Sequence, residues 1–139
     1  MEKLILSELS EIPLNLKVNI TFSTDSEGEN NGGSFFIYET DSDKLVTKFI
    51  LSPMAGCNGV CIARKVIIAP EHRGNGYGSI FCNLRGILAF QLGYSAIICT
   101  VVKGNIPQEK IMAKNGYKNV GLFNNFRTGN DIYVFFKTL

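Results

Sequence analysis

The residues best suited to chemistry lie in a glycine-rich stretch in the middle of the chain, residues 66–79. An apolar run there leads into Gly74, Gly76 and Gly78, which occupy alternate positions, and an amphipathic segment follows. Alternating glycines let the backbone approach a ligand closely and turn its N–H groups inward. A helix that begins at the same place adds the positive end of its dipole. The stretch therefore predicts a loop that binds an anion, and its shape suits a diphosphate.

Two common phosphate-binding loops do not match this stretch. A nucleoside-triphosphate loop ends in Gly-Lys-Ser/Thr, which is absent here. A dinucleotide loop needs a third glycine where Ser79 stands and an acid about 20 residues later, but residues 72–108 contain neither Asp nor Glu. The charged residues near the loop are the cations Arg73, Arg85 and Lys103. This pattern favours a phosphate-bearing ligand held by backbone and cations, such as coenzyme A.

Two motifs in register make the chain similar to a known family. The first reads Arg73-Gly74-Asn75-Gly76-Tyr77-Gly78, with Pro70 three residues before the arginine. The second is Asn105 followed, after a short helical stretch, by Gly116-Tyr117. Both resemble motifs of the GNAT superfamily of acyl-CoA-dependent N-acetyltransferases, where the first binds the cofactor and the second closes the fourth helix.

This resemblance implies an α/β (α+β) fold with a central mixed, mostly antiparallel twisted sheet. The sheet is expected to be splayed between its fourth and fifth strands and flanked by helices. Residues 7–33 show strand alternation and loop composition where relatives carry two helices, so the N-terminal helical region is expected to be reduced. The acceptor groove would then be more open than usual, or be completed by a second chain.

The resemblance also implies a reaction. Acetyl-CoA would act as co-substrate, and a primary amine would attack its thioester directly, while a backbone N–H near Ile68 stabilises the oxyanion. The expected cofactor-binding residues are Val66, Ile67, Ile68, Arg73, Gly74, Asn75, Gly76, Tyr77, Gly78, Ser79 and Asn105. The implied enzyme is an acyl-CoA-dependent N-acyltransferase, and the sequence leaves the amine acceptor open.

The sequence does not assign a general base or a general acid. Residues 64–69 carry no carboxylate where many relatives place the base, which leaves Glu39, Glu71 and His72. His72 is the candidate, because histidine titrates near neutral pH. Relatives often place a tyrosine as the acid at the position of Met112, and methionine cannot donate a proton. The departing thiolate would then be protonated by solvent or by another side chain, or the protein does not turn over.

Three functions from different classes fit these observations. The leading one is an N-acetyltransferase that moves the acetyl group of acetyl-CoA to a primary amine. The second is a catalytically lapsed CoA-binding or partner-binding module of the same fold, which the absent catalytic groups favour. The third is a small structural β-rich protein in which Gly74, Gly76 and Gly78 only make a tight turn.

Composition predicts one domain over residues 1–139 and a cytoplasmic protein. The net charge is +2 and the cations are scattered along the chain, so no nucleic-acid partner is expected. Acidic residues interrupt the first apolar residues too early for a signal peptide, and no apolar run reaches the roughly 20 residues of a membrane span. A membrane partner is therefore not expected either.

The four cysteines are expected to be free thiols and not metal ligands. Cys82 and Cys99 fall within a predicted helix and a predicted strand, where free cysteine behaves as a small apolar residue. Cys57 and Cys61 with His72 lack the second paired cluster of a tetrahedral zinc site. No metal is expected.

Alternation of apolar and polar residues predicts strands, and apolar residues at helical spacing predict helices. Strands are predicted over 4–6, 16–22, 34–39, 45–51, 60–69, 96–102, 117–123 and 131–137, and helices over 76–92 and 106–114. A polar loop is predicted over 23–33, and Arg85 is predicted to face away from the apolar stripe of its helix. The last strand is predicted to be exposed, where it could pair across a homodimer.

Overall fold

The computed structural model describes residues 15–24, 30–74 and 76–139. Within them lie seven strands and two α-helices. The strands are β1 Leu16–Thr24, β2 Asn30–Glu39, β3 Leu45–Pro53, β4 Val60–Ile68, β5 Ala96–Val102, β6 Lys118–Asn125 and β7 Asn130–Thr138. The helices are α1 Tyr77–Gln91 and α2 Ile106–Lys114, and a 3-10 turn covers Pro70–His72. The predicted strand over 4–6 lies outside the described residues, and so do residues 7–14 of the N-terminal region that is expected to be reduced.

The strands form one mixed sheet in the order β1-β2-β3-β4-β5-β7-β6. Every neighbouring pair is antiparallel except β4 and β5, which are parallel and pair over three residues only, from Val60 with Ala96 to Ile62 with Ile98. Beyond Ile62 the two strands separate. This confirms the predicted splay between the fourth and fifth strands.

A bulge in β4 turns the second half of this strand. Lys48 of β3 pairs with Ile67 of β4, and Ile50 pairs with Arg64. A step of two residues along β3 therefore corresponds to a step of three residues along β4. Lys65 lies in the bulge with φ 52°, a left-handed conformation that is uncommon outside glycine. The bulge shifts the register of the strand just where it leaves β5.

The core lies between the sheet and α1. Phe35 and Phe49 stack with their ring centroids 5.1 Å apart, and Phe81 and Leu88 of α1 are fully buried on the same cluster. Phe135 of β7 is also buried. These aromatic residues belong to the core between the sheet and α1.

The predicted loop over 23–33 is too long at both ends, because β1 continues to Thr24 and β2 begins at Asn30. Gly32 and Gly33 are buried in this strand. A Cβ at position 32 would lie 2.3 Å from the carbonyl oxygen of Leu51 on β3. The glycine therefore allows a close approach of two strands, where the sequence pattern had indicated a turn.

The prediction of an exposed last strand is also wrong. Strand β7 pairs with β5 on one side and with β6 on the other, so it lies inside the sheet. After β6 the chain turns back, and β7 lies between β5 and β6. This arrangement leaves β6 at the edge of the sheet. A homodimer formed through the last strand therefore has no free edge to use. No helix among the described residues is long and apolar enough to cross a bilayer.

Candidate active site

A cleft of about 780 Å³ opens where β4 and β5 separate. Its walls are the second half of β4, the end of β5, the glycine loop, the start of α1 and one face of α2. Pockets of this size are typical of sites for small molecules and cofactors. The parallel strands and the beginnings of both helices meet there, so backbone groups are available to a ligand.

The structure brings nearly all of the predicted cofactor-binding residues to this cleft. Those that line it are Val66, Ile67, Ile68, Arg73, Gly74, Gly76, Gly78, Ser79 and Asn105. Tyr77 does not line it, because its ring stacks on Phe81 with centroids 5.6 Å apart and packs against the core. Asn75 lies outside the described residues.

The glycine loop has the backbone geometry that the sequence predicts. Gly74 has φ 81° and Gly76 has φ 78°, values that L side chains adopt at a cost. Gly76 is the N-cap of α1, where no side chain caps the helix and no acidic residue stands in the first turn. The first N–H groups of α1 are therefore without a side-chain acceptor, and an anion can take that place.

Contacts among the loop, β4 and α2 hold this helix end in position. Arg73 donates from Nε to the carbonyl oxygen of Ile68, at 3.1 Å. A Cβ at Gly78 would lie 3.0 Å from Ile111 Cδ1 on α2, so the two helices approach closely there. Ser79 Oγ accepts a hydrogen bond from Asn115 Nδ2, at 3.1 Å. The start of α1 is thus fixed against both neighbours.

Helix α2 presents a second N-terminus to the cleft. Asn105 caps it by accepting a bond from the N–H of Gln108, and Pro107 occupies an early position where its missing N–H costs nothing. Glu109 Oε2 accepts from the N–H of Gly104, at 2.9 Å. The side chain of Asn105 therefore caps α2, as expected for a residue that stands between the end of β5 and the start of this helix.

The second half of β4 forms the other wall. Val66 and Ile67 are 38% and 45% exposed, which is unusual for β-branched residues in the middle of a sheet. The buried Thr47 donates from Oγ1 to the carbonyl oxygen of Ile67, at 2.7 Å, and so ties the bulged segment to β3. On the opposite side, β4 has no strand partner beyond Ile62.

His72 is the only one of the three predicted base candidates that lines the cleft. Its Nε2 lies 2.9 Å from Glu39 Oε1, although this atom is not aligned for a hydrogen bond. Glu39 Oε2 accepts from Ser42 Oγ, at 2.7 Å. The imidazole also meets the edge of the Tyr77 ring, with centroids 5.9 Å apart. Glu39 thus contacts His72 outside the cleft, while Glu71 does not line the cleft either.

No acidic residue lines the cleft among the described residues. Met112 is 1% exposed and lies in the wall at the predicted acid position. Tyr117 belongs to the core, and burial raises the pKa of its hydroxyl far above the ordinary value. Burial also raises the pKa of Cys61 to about 12 and that of Cys82 to about 11, so both thiols are protonated at neutral pH.

One residue of the site, Arg85, lies elsewhere than predicted. It was predicted to face away from the apolar stripe of α1, but it is 2% exposed and lines the cleft. Its guanidinium carbon lies 5.9 Å from the ring centroid of Phe49. A signal was available, because Arg85 stands four residues after Phe81 and three before Leu88, on the buried face of the helix.

Comparison with solved structures identifies this architecture. A mutant of the spermidine N-acetyltransferase SpeG from Vibrio cholerae matches with a TM-score of 0.72 at 14% identity, over 91% of this chain and 95% of that chain. A GNAT family acetyltransferase from Elizabethkingia anophelis with acetyl-CoA bound matches with a TM-score of 0.73 at 10% identity, over 91% and 100%. A GNAT family acetyltransferase from Bacillus anthracis matches with 0.64 at 19%, over 76% and 65%.

These identities are low, so the matches define the fold. No protein-family model matches the sequence, and no curated protein matches it. The chain has the fold of the GNAT-family acetyltransferases. The resemblance predicted from the two sequence motifs is confirmed at this level.

Proposed function

We propose that this protein is an acyl-CoA-dependent N-acyltransferase, which transfers the acetyl group of acetyl-CoA to a primary amine by direct attack. The observation that carries the proposal is the separation of β4 from β5 after three paired residues, with an uncapped helix N-terminus at the mouth of the resulting cleft. A strand edge opened inside a sheet leaves backbone groups without partners. An elongated ligand with amide groups and a diphosphate would satisfy both features.

The residues present fit such a ligand. Backbone N–H groups from Gly74 to Ser79 would hold the diphosphate, with Arg73 beside them. Backbone groups of Val66, Ile67 and Ile68 would hold the arm that carries the thioester, and an N–H near Ile68 would face the thioester carbonyl. That N–H would stabilise the oxyanion that develops when the amine attacks.

Catalysis in this proposal comes mainly from placement. A well-oriented pair of reactants can gain about 7 to 11 kcal/mol relative to free encounter. The C–N bond forms as the C–S bond breaks, and the amine loses a proton. His72 is the candidate to accept this proton, directly or through water, because it lines the cleft and Glu39 contacts it. A thiolate is a good leaving group, so solvent can protonate it without Tyr117 or Met112.

A second candidate function is a CoA-binding module that no longer catalyses transfer. Two observations favour it: Met112 stands where an acid would be needed, and no carboxylate of the described residues lines the cleft. Such a module would act by binding a partner in its CoA-loaded form. The two candidates share the cleft and differ only in turnover.

Two measurements made in sequence test the proposal. Acetyl-CoA at 100 times its dissociation constant should add about 2.7 kcal/mol to the unfolding free energy, which a thermal melt detects. Release of CoA thiol is then followed with a panel of amines that includes spermidine, because one of the similar structures is a spermidine N-acetyltransferase. Binding without thiol release from any amine supports the lapsed module, and absence of binding contradicts both candidates.

The role of His72 needs its own comparison. His72→Gln should lower the rate of thiol release and change the shape of the pH–rate profile, because the proposed proton acceptor is lost. Glu71→Gln is the matched control, because Glu71 is adjacent in sequence, is exposed and does not line the cleft. An unchanged pH–rate profile in His72→Gln would exclude His72 as the base.

A further inference from the structure

Arg85 is a buried cation in a cleft whose proposed ligand does not require one at that place. Its side chain is 2% exposed, and its Nε is fully buried with no hydrogen-bond partner. Burial of a charge without a partner is expensive, and proteins usually pair such a group. A buried guanidinium whose neighbours among the described residues are all neutral therefore indicates an anionic partner that is bound and not part of the described fold.

No carboxylate of the described residues neutralises Arg85. The salt bridges within residues 15–24, 30–74 and 76–139 are Lys17 with Asp43 and His72 with Glu39. The polar groups beside the guanidinium include the thiols of Cys82 and Cys99, to which it hydrogen-bonds, and the hydroxyl of Tyr117. Burial raises the pKa values of all three groups, so they stay neutral. The ring of Phe49 supplies only a cation–π contact, at 5.9 Å.

Arg85 lies at the closed end of the cleft. Ala63 and Cys99 are the first residues after the last β4–β5 pair, and both line the cleft together with Arg85. Arg85 stands nine residues after Gly76, which places it about 13 Å along α1 from the glycine loop. A ligand whose diphosphate sits at the loop would thus direct its opposite, acyl end toward Arg85.

We propose that Arg85 recognises a carboxylate at the far end of the acyl group, so that the preferred donor is a short dicarboxylic acyl thioester, such as malonyl-CoA or succinyl-CoA. This inference rests on the proposed N-acyltransferase function, and it makes a dicarboxylic thioester the preferred donor over acetyl-CoA. The planar guanidinium suits a carboxylate because it can donate two parallel hydrogen bonds. Acetyl-CoA would still fit the cleft but would leave Arg85 without a partner.

The group transfer itself is unchanged by this choice of donor. The amine nitrogen forms a bond with the thioester carbon, the C–S bond breaks, and the sulfur leaves as a thiolate. The amine proton passes to a base or to water, and the distal carboxylate remains ionised and paired throughout. Arg85 is thus a specificity-determining residue, which contacts the acyl group away from the reacting atoms.

Binding to the wild-type protein gives the first test. Calorimetry compares succinyl-CoA with butyryl-CoA, which has an acyl chain of the same length but no carboxylate, and with acetyl-CoA. Succinyl-CoA or malonyl-CoA should bind at least tenfold more tightly than butyryl-CoA, the factor typical of one charge-assisted contact. If acetyl-CoA and butyryl-CoA bind and neither dicarboxylic thioester binds more tightly, this inference fails while the proposed function stands. If no thioester binds, both fail.

Variants then assign the preference to one residue. Arg85→Met keeps the length of the side chain and should bring the ratio of succinyl-CoA to butyryl-CoA affinity close to one. Lys137→Met is the matched control, because Lys137 lies over the ring of Tyr117, also close to Cys82, but does not line the cleft. It removes the same charge and should keep the wild-type ratio. Equal loss of preference in both variants would show a general effect of net charge and overturn the assignment.

Discussion

The left-handed backbone at Gly76 makes a quantitative prediction. Gly76 has φ 78° and ψ 0° and is the last residue before α1. A Cβ there would meet no heavy atom of the protein within 4 Å. The effect of Gly76→Ala on the unfolding free energy should therefore come from backbone conformation and not from a clash.

The magnitude follows from the two states that the substitution affects. An L residue in the left-handed region is less stable by about 1 to 2 kcal/mol. The lower entropy of the unfolded chain returns about 0.4 to 1 kcal/mol. Gly76→Ala should therefore destabilise the fold by about 1 kcal/mol, which lowers the melting temperature of a domain of this size by about 3 to 5 °C.

Two matched substitutions make this result interpretable. Gly76→Asn should retain most of the stability, because asparagine tolerates the left-handed region. Gly121→Ala is the control for glycine replacement in general, since Gly121 has no positive φ and its Cβ would make only an ordinary contact with Val134, at 3.8 Å. It should be neutral or slightly stabilising.

The assay is a thermal melt with and without acetyl-CoA. Gly76→Leu should also lose acetyl-CoA binding, because its side chain would stand before the N–H groups that begin α1. A melting temperature of Gly76→Ala equal to that of the wild type would refute the reasoning about strain. Retained affinity in Gly76→Leu would refute the role of the loop as a phosphate site.

Three further predictions concern the packing around the cleft. Gly78→Val should destabilise the fold by about 1 to 3 kcal/mol, because a Cβ there already lies 3.0 Å from Ile111 Cδ1, and an unchanged urea midpoint would contradict this. Tyr117→Phe should keep the stability and any thiol release, since the buried hydroxyl has no hydrogen-bond partner, whereas a lost rate would make that hydroxyl part of the reaction. Burial raises the pKa of Cys61 to about 12 and of Cys82 to about 11 from 9.0, so these thiols hold their protons in the folded state when the unfolded chain has lost them. Stability should therefore fall by about 1.4 kcal/mol per pH unit for each thiol as the pH rises above about 9, and equal urea midpoints at about pH 8 and about pH 10.5 would contradict this.

Features set by local sequence were predictable. Helix α2 begins and ends at the predicted residues because Asn105, Pro107 and the following turn residues mark its ends. Strand β5 was predicted from its continuous apolar run. The glycine loop was predicted from spacing alone, since only glycine populates its positive φ values easily.

Features set by distant partners were not predictable. The position of β7 between β5 and β6 depends on which strands pair with one another. The alternation of apolar and polar residues predicts a strand but not its partners. The glycines at 32 and 33 were interpreted as a loop because the approach of Leu51 is invisible in the sequence. Likewise the contact between His72 and Glu39 joins residues far apart in the chain.

The burial of Arg85 was mispredicted for a different reason. Its position on the buried face of α1 was recoverable from helical spacing, yet its charge favoured an exposed interpretation. The structure places it in the cleft, where burial without a carboxylate is hard to explain by stability alone. Departures from the local pattern of this kind often mark functional residues.

The most direct test of the account is the response of backbone amide resonances to acetyl-CoA in an NMR titration. The largest shifts are expected on the amides of residues 66–68 and 74–79, on either side of the opening between β4 and β5. Shifts concentrated elsewhere on the sheet, or no shifts at saturating acetyl-CoA, would contradict the claim that this opening is an acyl-CoA site.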